Sequence, residues 1–169
     1  MARRVQIEPM AAADWPEVRR IYAEGIATGD ATFERDVPDW SHWNHSHRPE
    51  CRLVARAPKT GEVVGWAALT LASSRRVYSG VAWESVYVAD AWRGHGVGRA
   101  LLKALIPAAE KAGYWTLQAG VLIENAASIA LHEAVGFRRV GVQERIGKDA
   151  RGQWRDRVLL ERRSLKTGV

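Results

Sequence analysis

The chain has 169 residues, the length of one ordinary domain, so the sequence predicts a single domain over residues 1–169. Hydrophobic residues make up 47% and charged residues 26%, which excludes a disordered chain. The net charge of +6 favours anionic partners. Because lysine and arginine occur as scattered short pairs and not as one block, we expect a compact anion, and neither nucleic acid nor a membrane surface.

The cysteine content and the N-terminal residues indicate the cellular compartment of the protein. Cys51 is the only cysteine, so an intrachain disulfide is impossible, and no Cys/His set has the spacing of a structural zinc site. The first residues lack the apolar run of a signal peptide, and no stretch approaches the roughly 18 apolar residues of a membrane span. These features predict a cytoplasmic protein with no bound metal.

Hydrophobic periodicity in the first half of the chain predicts two helices and three strands. Apolar residues from Val18 to Ile26 recur at helical spacing, and Asp14 with Glu17 resembles a capping box at the start of this helix. A loop, a short helix and three strands are predicted next, over 25–34, 38–49, 51–57, 63–71 and 81–88.

The second half alternates helices and strands. Helices are predicted over 97–112 and 126–135, and strands over 116–123, 137–146 and 155–160. Pro107 lies inside the first of these helices, where it removes one backbone donor and should kink the helix. The order of elements predicts a mixed α/β domain.

A glycine-rich segment, Arg93-Gly94-His95-Gly96-Val97-Gly98-Arg99, lies where a strand is predicted to turn into a helix. Glycine lets the backbone approach a ligand closely, and the first N–H groups of a helix are unpaired donors at its positive end. The segment therefore predicts a pyrophosphate cradle, although a tight strand-to-helix turn would use similar residues. It lacks the lysine and hydroxyl of a nucleotide-hydrolysing loop and the third glycine of a dinucleotide fingerprint.

A second polar segment covers residues 124–137. Asn125 is a candidate helix cap, and Ser128 and His132 follow three and seven residues later on the same helix face. These three side chains could point at one site, although a well-capped helix would have the same pattern.

Together, the glycine-rich segment and the Asn-x-x-Ser segment that ends in Gly-Phe resemble the motifs of the GNAT superfamily of acyl-CoA-dependent N-acetyltransferases. Residues 26–34, 84–88 and 152–156 are similar to its phosphinothricin acetyltransferase branch, which includes methionine sulfoximine and sulfone acetyltransferases. The resemblance covers nearly the whole chain. It implies one GNAT-type domain with a mostly antiparallel central sheet, splayed between the parallel strands that end at Val88 and begin at Thr116, and with helices on both faces.

The resemblance implies acetyl-CoA as co-substrate, wedged between these two parallel strands. Backbone groups of Val86 and Val88 would pair with the pantetheine arm, and the glycine-rich amides would hold the pyrophosphate. The full set of residues expected to bind the cofactor is Val86, Tyr87, Val88, Arg93, Gly94, His95, Gly96, Val97, Gly98, Arg99, Asn125 and Ser128.

The chemistry also needs a base, because a protonated amine cannot attack a thioester. Glu84 is the candidate, since the family's catalytic glutamate falls at nearly the same place, but it lies one residue closer to the Ser-Val-Tyr-Val run. That difference would turn the side chain to the other sheet face unless a bulge restored the register. The resemblance implies that His132 contacts CoA or supplies a proton to its thiolate; a packed histidine is the alternative.

The implied reaction is acetyl transfer to the α-amino group of a small amino acid, such as phosphinothricin, methionine sulfoximine or methionine sulfone, by direct attack in a ternary complex. Arg75 or Arg76 would anchor the acceptor's carboxylate, because arginine binds carboxylates with two hydrogen bonds. Thr32, Phe33 and Tyr78 would line the pocket. Members of the branch are commonly homodimers, so we expect a homodimer.

Two other functions remain open at this point. A related acetyltransferase could act on peptide N-termini, polyamines or aminoglycosides, which are cationic or extended acceptors. A non-catalytic module that senses acyl-CoA or binds nucleic acid would keep the glycine-rich cradle and would not need Glu84 as a base.

Overall fold

The computed structural model of the protein describes residues 4–169, which form a seven-stranded mixed sheet with helices on both faces. Residues 1–3, part of the stretch in which no signal-like run was found, lie outside the described residues. The helices are α1 (Trp15–Ala27), α2 (Trp40–Ser46), α3 (Val97–Lys111) and α4 (Ala126–Ala134). The strands are β1 (Gln6–Pro9), β2 (Leu53–Arg56), β3 (Val63–Leu71), β4 (Val81–Val88), β5 (Thr116–Leu122), β6 (Arg138–Lys148) and β7 (Trp154–Arg163).

The strands lie in the order β1-β2-β3-β4-β5-β7-β6, and every neighbouring pair is antiparallel except β4 with β5. This parallel pair is short, since residues 81–83 lie opposite 116–118 and the strands separate beyond them. The predicted sheet, mostly antiparallel and splayed between these two strands, is confirmed. The separation leaves the β5-facing edge of β4 without a strand partner after residue 83.

Each face of the sheet has its own core. Apolar side chains of α3 and α4, such as Leu101 and Ile129, pack on one face. On the other face α1 and α2 cover β3 with an aromatic cluster, in which Trp43 and Trp66 are fully buried with their rings 5.6 Å apart. Much of the tryptophan content is therefore structural, because these large side chains fill the α1/α2 core.

The structure differs from the predicted elements at the N-terminus. The sequence did not predict β1, a four-residue edge strand that pairs with β2 and ends in a proline. The predicted capping box is wrong, because Asp14 makes no cap hydrogen bond to α1. Its carboxylate accepts instead from the Ala11 N–H and pairs with Arg56, while Glu17 accepts from the Val63 N–H.

Helix α3 runs through Pro107 to Lys111. Proline removes the N–H that would bond to the carbonyl of Lys103, four residues earlier. Both residues lie on the exposed side of α3, where water can satisfy that carbonyl, whereas the buried side carries Leu101 and Leu105. Within the part of the chain that the structure describes, no helix combines the length and apolar composition that a bilayer crossing requires.

Candidate active site

Two cavities lie next to the gap between β4 and β5. The larger, about 620 Å³, follows the glycine-rich segment and the start of α4, and we call it the groove. The smaller, about 310 Å³, contains Glu84, and we call it the Glu84 cavity. The two are continuous, because five residues line both of them: Ala31, Val86, Tyr87, Asn125 and Ser128.

The glycine-rich segment shapes one end of the groove. Gly94 and Gly96 have φ values of +73° and +84°, a left-handed conformation that L side chains rarely adopt. Gly96 is the N-cap of α3 and no side chain caps the helix, so its first N–H groups have no intrahelical acceptor. A Cβ atom at Gly98 would lie 2.9 Å from Leu131, so glycine also allows α3 and α4 to approach closely.

These features fit a diphosphate, because unpaired amides at a positive helix end attract anions. Arg99 is exposed on the first turn of α3, while Arg93 donates to the Val88 carbonyl and pairs with Asp90. Every residue predicted to bind the cofactor lines the groove except His95.

Glu84 and His132 form a buried pair in the wall of the Glu84 cavity. The Glu84 Oε1 atom lies 2.6 Å from His132 Nε2, and 8% of Glu84 and 1% of His132 is exposed. β4 pairs with β3 without a bulge, so Glu84 shares its face with Val86 and Val88 and points towards α4. No bulge restores the register, so the carboxylate points to the sheet face opposite the one that the family's spacing implies, and on this face it meets His132.

The contacts of His132 define its protonation. His132 Nδ1 lies 2.6 Å from the Ser128 carbonyl oxygen, which can only accept, so Nδ1 carries hydrogen. The 2.6 Å contact of Nε2 with a carboxylate oxygen then requires one proton between them. Burial by itself lowers the pKa of His132, but the carboxylate of Glu84 and the carbonyl of Ser128 together raise it. These contacts favour the protonated form of His132.

The second carboxylate oxygen of Glu84 has a different environment. Glu84 Oε2 is buried and has no hydrogen-bond partner among residues 4–169. A buried polar atom without a partner is costly, and such atoms in folded proteins call for an explanation. Glu84 lines the cavity, so a small side-chain movement would let a molecule bound there supply the missing donor.

Asn125 caps α4, as the sequence predicted. Its Oδ1 accepts from the Ser128 N–H, and its Nδ2 donates to the carbonyl of Asp30 in the loop after α1. This second bond ties α4 to the segment that contains Ala31, Thr32 and Phe33, all of which line the Glu84 cavity.

The predicted acceptor residues separate into two groups. Thr32 and Phe33 line the Glu84 cavity, whereas Arg75, Arg76 and Tyr78 are exposed and line neither described cavity. The guanidinium of Arg75 lies 5.5 Å from the centre of the Tyr78 ring. The assignment of the acceptor carboxylate to Arg75 or Arg76 stays a prediction, and in this chain those side chains lie apart from Glu84.

Two arginines of β7 were not singled out from the sequence. Arg157 lines the Glu84 cavity. Arg155 pairs with Asp30, Glu124 and Asp149 and so ties β7 to the loop after α1. The sequence held one indication, because 152–156 was similar to the phosphinothricin branch, but the role of that segment depends on residues over a hundred positions away.

Among residues 4–169, no group of three or more histidine, cysteine or carboxylate side chains is placed to hold a metal ion. The splayed sheet, the uncapped glycine-led helix and the buried carboxylate beside it define an acyl-CoA-dependent acyltransferase. The chain belongs to the GNAT acetyltransferase family, whose model matches residues 13–137. It is thus an N-acetyltransferase that uses acetyl-CoA as co-substrate.

Two curated relatives are similar over most of the chain. A phosphinothricin N-acetyltransferase from Alcaligenes faecalis is 36% identical over 88% of this chain and 77% of its own length. An L-methionine sulfoximine/L-methionine sulfone acetyltransferase from Salmonella typhimurium is 34% identical over 88% of each chain.

Two solved structures share the fold. A phosphinothricin acetyltransferase from Sinorhizobium meliloti in complex with acetyl-CoA has a TM-score of 0.86 and 26% identity, covering 97% of this chain and 90% of its own. A ribosomal-protein-alanine N-acetyltransferase from Brucella melitensis has a TM-score of 0.85 and 30% identity, covering 94% and 99%.

Proposed function

We propose that the protein transfers the acetyl group of acetyl-CoA to the α-amino group of a small amino acid of the phosphinothricin, methionine sulfoximine or methionine sulfone type. The observation that carries this proposal is Glu84, a buried carboxylate that lines a cavity continuous with the groove and whose Oε2 has no hydrogen-bond partner among residues 4–169. The names of the two curated relatives support this acceptor class. The cavity of about 310 Å³ also suits a small acceptor.

The groove would hold acetyl-CoA, which supplies an activated acetyl thioester. The amides at the start of α3 would bind its diphosphate, and the unpaired edge of β4 beyond residue 83 would receive the pantetheine arm. Asn125 and Ser128 lie where the groove meets the Glu84 cavity. This arrangement would position the two substrates side by side, so that transfer would need no covalent enzyme intermediate.

Glu84 would act as the base. Its Oε2 would accept a proton from the acceptor's ammonium group, directly or through water, because a neutral amine is needed for attack. His132 holds the carboxylate in place from its other oxygen, and Ser128 holds His132. A proton stored between Glu84 and His132 is also available for the departing thiolate, which keeps open the predicted role of His132 as an acid.

Replacement of Glu84 by glutamine tests the proposal. Glu84→Gln keeps the shape of the side chain and removes its basicity, so kcat should fall by roughly 10²–10⁴ while the Kd of acetyl-CoA, measured by calorimetry, stays unchanged. Glu133→Gln, at an exposed position of α4, is the matched control and should keep wild-type turnover. Unchanged turnover in Glu84→Gln would remove Glu84 as the base.

An acceptor screen separates the proposal from the alternatives. The Brucella structure favours peptide N-termini as the second candidate acceptor. Wild-type protein should acetylate methionine sulfone or phosphinothricin faster than an alanine-initiated peptide, a polyamine or an aminoglycoside. Binding of acetyl-CoA with no turnover of any acceptor would instead favour a non-catalytic acyl-CoA sensor, and salt-sensitive retention on nucleic acid would favour a nucleic-acid module.

We also propose a homodimer. β6 is the outer strand of the sheet and is exposed along most of its length, with Val140, Val142 and Ile146 each about half exposed. An apolar sheet edge of this kind is usually covered. A groove between α4 and β6 adds apolar surface from Ile123, which is 42% exposed. The cytoplasmic location and the single-domain extent over 1–169 remain predictions from the sequence.

A further inference from the structure

Arg157 is a half-buried cation in the wall of the Glu84 cavity that no carboxylate neutralises. Its Nε donates to Gln143 Oε1 at 2.9 Å, and its guanidinium carbon lies 5.3 Å from the centre of the Trp83 ring. Within residues 4–169 it forms no ion pair, and its two Nη atoms donate to no described group. Burial lowers the pKa of Arg157, yet arginine keeps its charge in proteins.

The surroundings of Arg157 orient its guanidinium without neutralising it. Trp83 offers a ring face, and the neutral amide of Gln143 accepts from Nε, so the Nη donors are left free. Gly120 provides the space, because a Cβ atom there would lie 2.7 Å from Arg157 Cδ. Arg155, two residues earlier on the same strand, contrasts with this arrangement because three carboxylates surround it.

The cavity thus holds two unsatisfied groups of opposite chemistry. Glu84 Oε2 is an acceptor without a described donor, and Arg157 is a guanidinium without a described anionic partner. Glu84 and Trp83 point to opposite faces of β4, so Glu84 and Arg157 line the cavity from opposite sides of the gap between β4 and β5. An α-amino acid in this gap would place its carboxylate on Arg157 and its ammonium towards Glu84, directly or through water. Pairing with the carboxylate would offset the cost of burying the guanidinium.

On this basis, and resting on the proposed function, we propose that Arg157 binds the α-carboxylate of the acceptor amino acid while its amine faces Glu84. Arg157 is then a specificity residue that selects α-amino acids over amines without a carboxylate. The proposal differs from the assignment to Arg75 or Arg76, whose exposed side chains line neither described cavity.

The test compares methionine sulfone with its α-carboxamide. The sulfone side chain is neutral, so the α-carboxylate is the only anionic group of the acid, and the carboxamide lacks it. For the wild type we expect a higher kcat/KM with the acid. Arg157→Gln should lower kcat/KM for the acid by roughly tenfold to a hundredfold and change kcat/KM for the carboxamide little. The kcat/KM of the acid divided by that of the carboxamide, which we call the acid-to-amide ratio, should therefore fall sharply.

Two more variants separate the contribution of the Arg157 charge from that of the position of its guanidinium. Arg157→Lys keeps the charge and loses the two-pronged donor, so it should restore part of the ratio. Gly120→Ala keeps the arginine and forces its side chain to move, so it should lower the ratio with Arg157 still present. Arg163→Gln, on the same strand but lining neither described cavity, is the control and should keep the wild-type ratio.

A wild-type ratio in Arg157→Gln would overturn the proposal, and so would a collapse seen only in the double variant Arg75→Gln/Arg76→Gln. The KM for acetyl-CoA and the melting temperature show whether a variant is folded. If the wild type acetylates neither sulfone compound, the proposed acceptor class fails, and the acid-to-amide ratio is measured with whichever amino acid is acetylated. Acceptors that all lack a carboxylate would overturn the role of Arg157.

Discussion

At the scale of single residues, a buried and a partly buried histidine show how the surroundings determine charge. Beside Glu84, His132 has a raised pKa although burial opposes it, because the carboxylate and the Ser128 carbonyl favour its protonated form. His47 stacks on Trp43 at 4.1 Å, and burial lowers its pKa to about 4. The same side chain therefore stores a proton in the active site and stays neutral in the aromatic core.

The lowered pKa of His47 makes stability depend on pH. Its folded pKa of about 4 lies below the unfolded value of 6.5, so its contribution is complete above pH 6.5 and is lost as the pH falls towards 4. We expect the free energy of unfolding to decrease by up to roughly 3 kcal/mol over this range from His47. Urea unfolding of the wild type and of His47→Gln between pH 7 and pH 4 measures this change in the free energy of unfolding.

The variant should lose less stability on acidification than the wild type, because it has no imidazole to protonate. His45→Gln, an exposed position of the same helix, should follow the wild-type curve. Parallel curves for wild type and His47→Gln would contradict the burial of a neutral imidazole.

At the scale of elements, the turn into α3 combines strain with function. Gly96 has a φ of +84°, and Gly61, in the turn between β2 and β3, has a φ of +72°. An alanine at either position costs roughly 1–2 kcal/mol, because a Cβ crowds the left-handed conformation. We expect Gly96→Ala also to raise the KM for acetyl-CoA, whereas Gly61→Ala, which lines neither described cavity, should lower stability alone.

Thermal unfolding and steady-state kinetics on the two variants measure these effects. The paired design separates a general loss of stability from a specific loss of cofactor binding. An equal rise of KM in both variants would mean that the glycine-rich turn has no special role in the groove.

At the scale of the whole molecule, the outer strand β6 and the neighbouring end of β7 are not covered by other elements. α1 and α2 pack on β3 and β4, whereas β6 and the tip of β7 expose Val142 and Trp154 at 52% and 56%. We expect sedimentation to give a dimer for the wild type and a monomer for Val142→Lys, because a lysine there would bury a charge in the interface. Leu165→Lys, at an 88% exposed position near the C-terminus, should leave the dimer intact. A monomeric wild type would contradict the proposed interface.

Much of the fold followed from local patterns. β4 was predicted with its observed bounds, and α3, α4 and β5 to within a residue or so, because apolar periodicity and glycine stops are properties of the chain itself. The edge strand β1 was missed, since four residues that end in proline carry too little pattern and depend on β2 for their hydrogen bonds. The predicted Asp14–Glu17 capping box is wrong for a related reason. The Asp14 carboxylate pairs with Arg56, and the Glu17 carboxylate accepts from the Val63 N–H, so both bind groups distant in the chain.

The sequence by itself determined the class of protein, because the glycine-led helix start and the Asn125 cap are local devices whose residues are adjacent in the chain. Only the tertiary structure decided how the site is completed. Glu84 and His132 are 48 positions apart, and Arg157 enters the same cavity because β7 is inserted between β5 and β6. The burial that leaves Glu84 Oε2 and Arg157 without partners is a property of packed neighbours, so no pattern along the chain contains it.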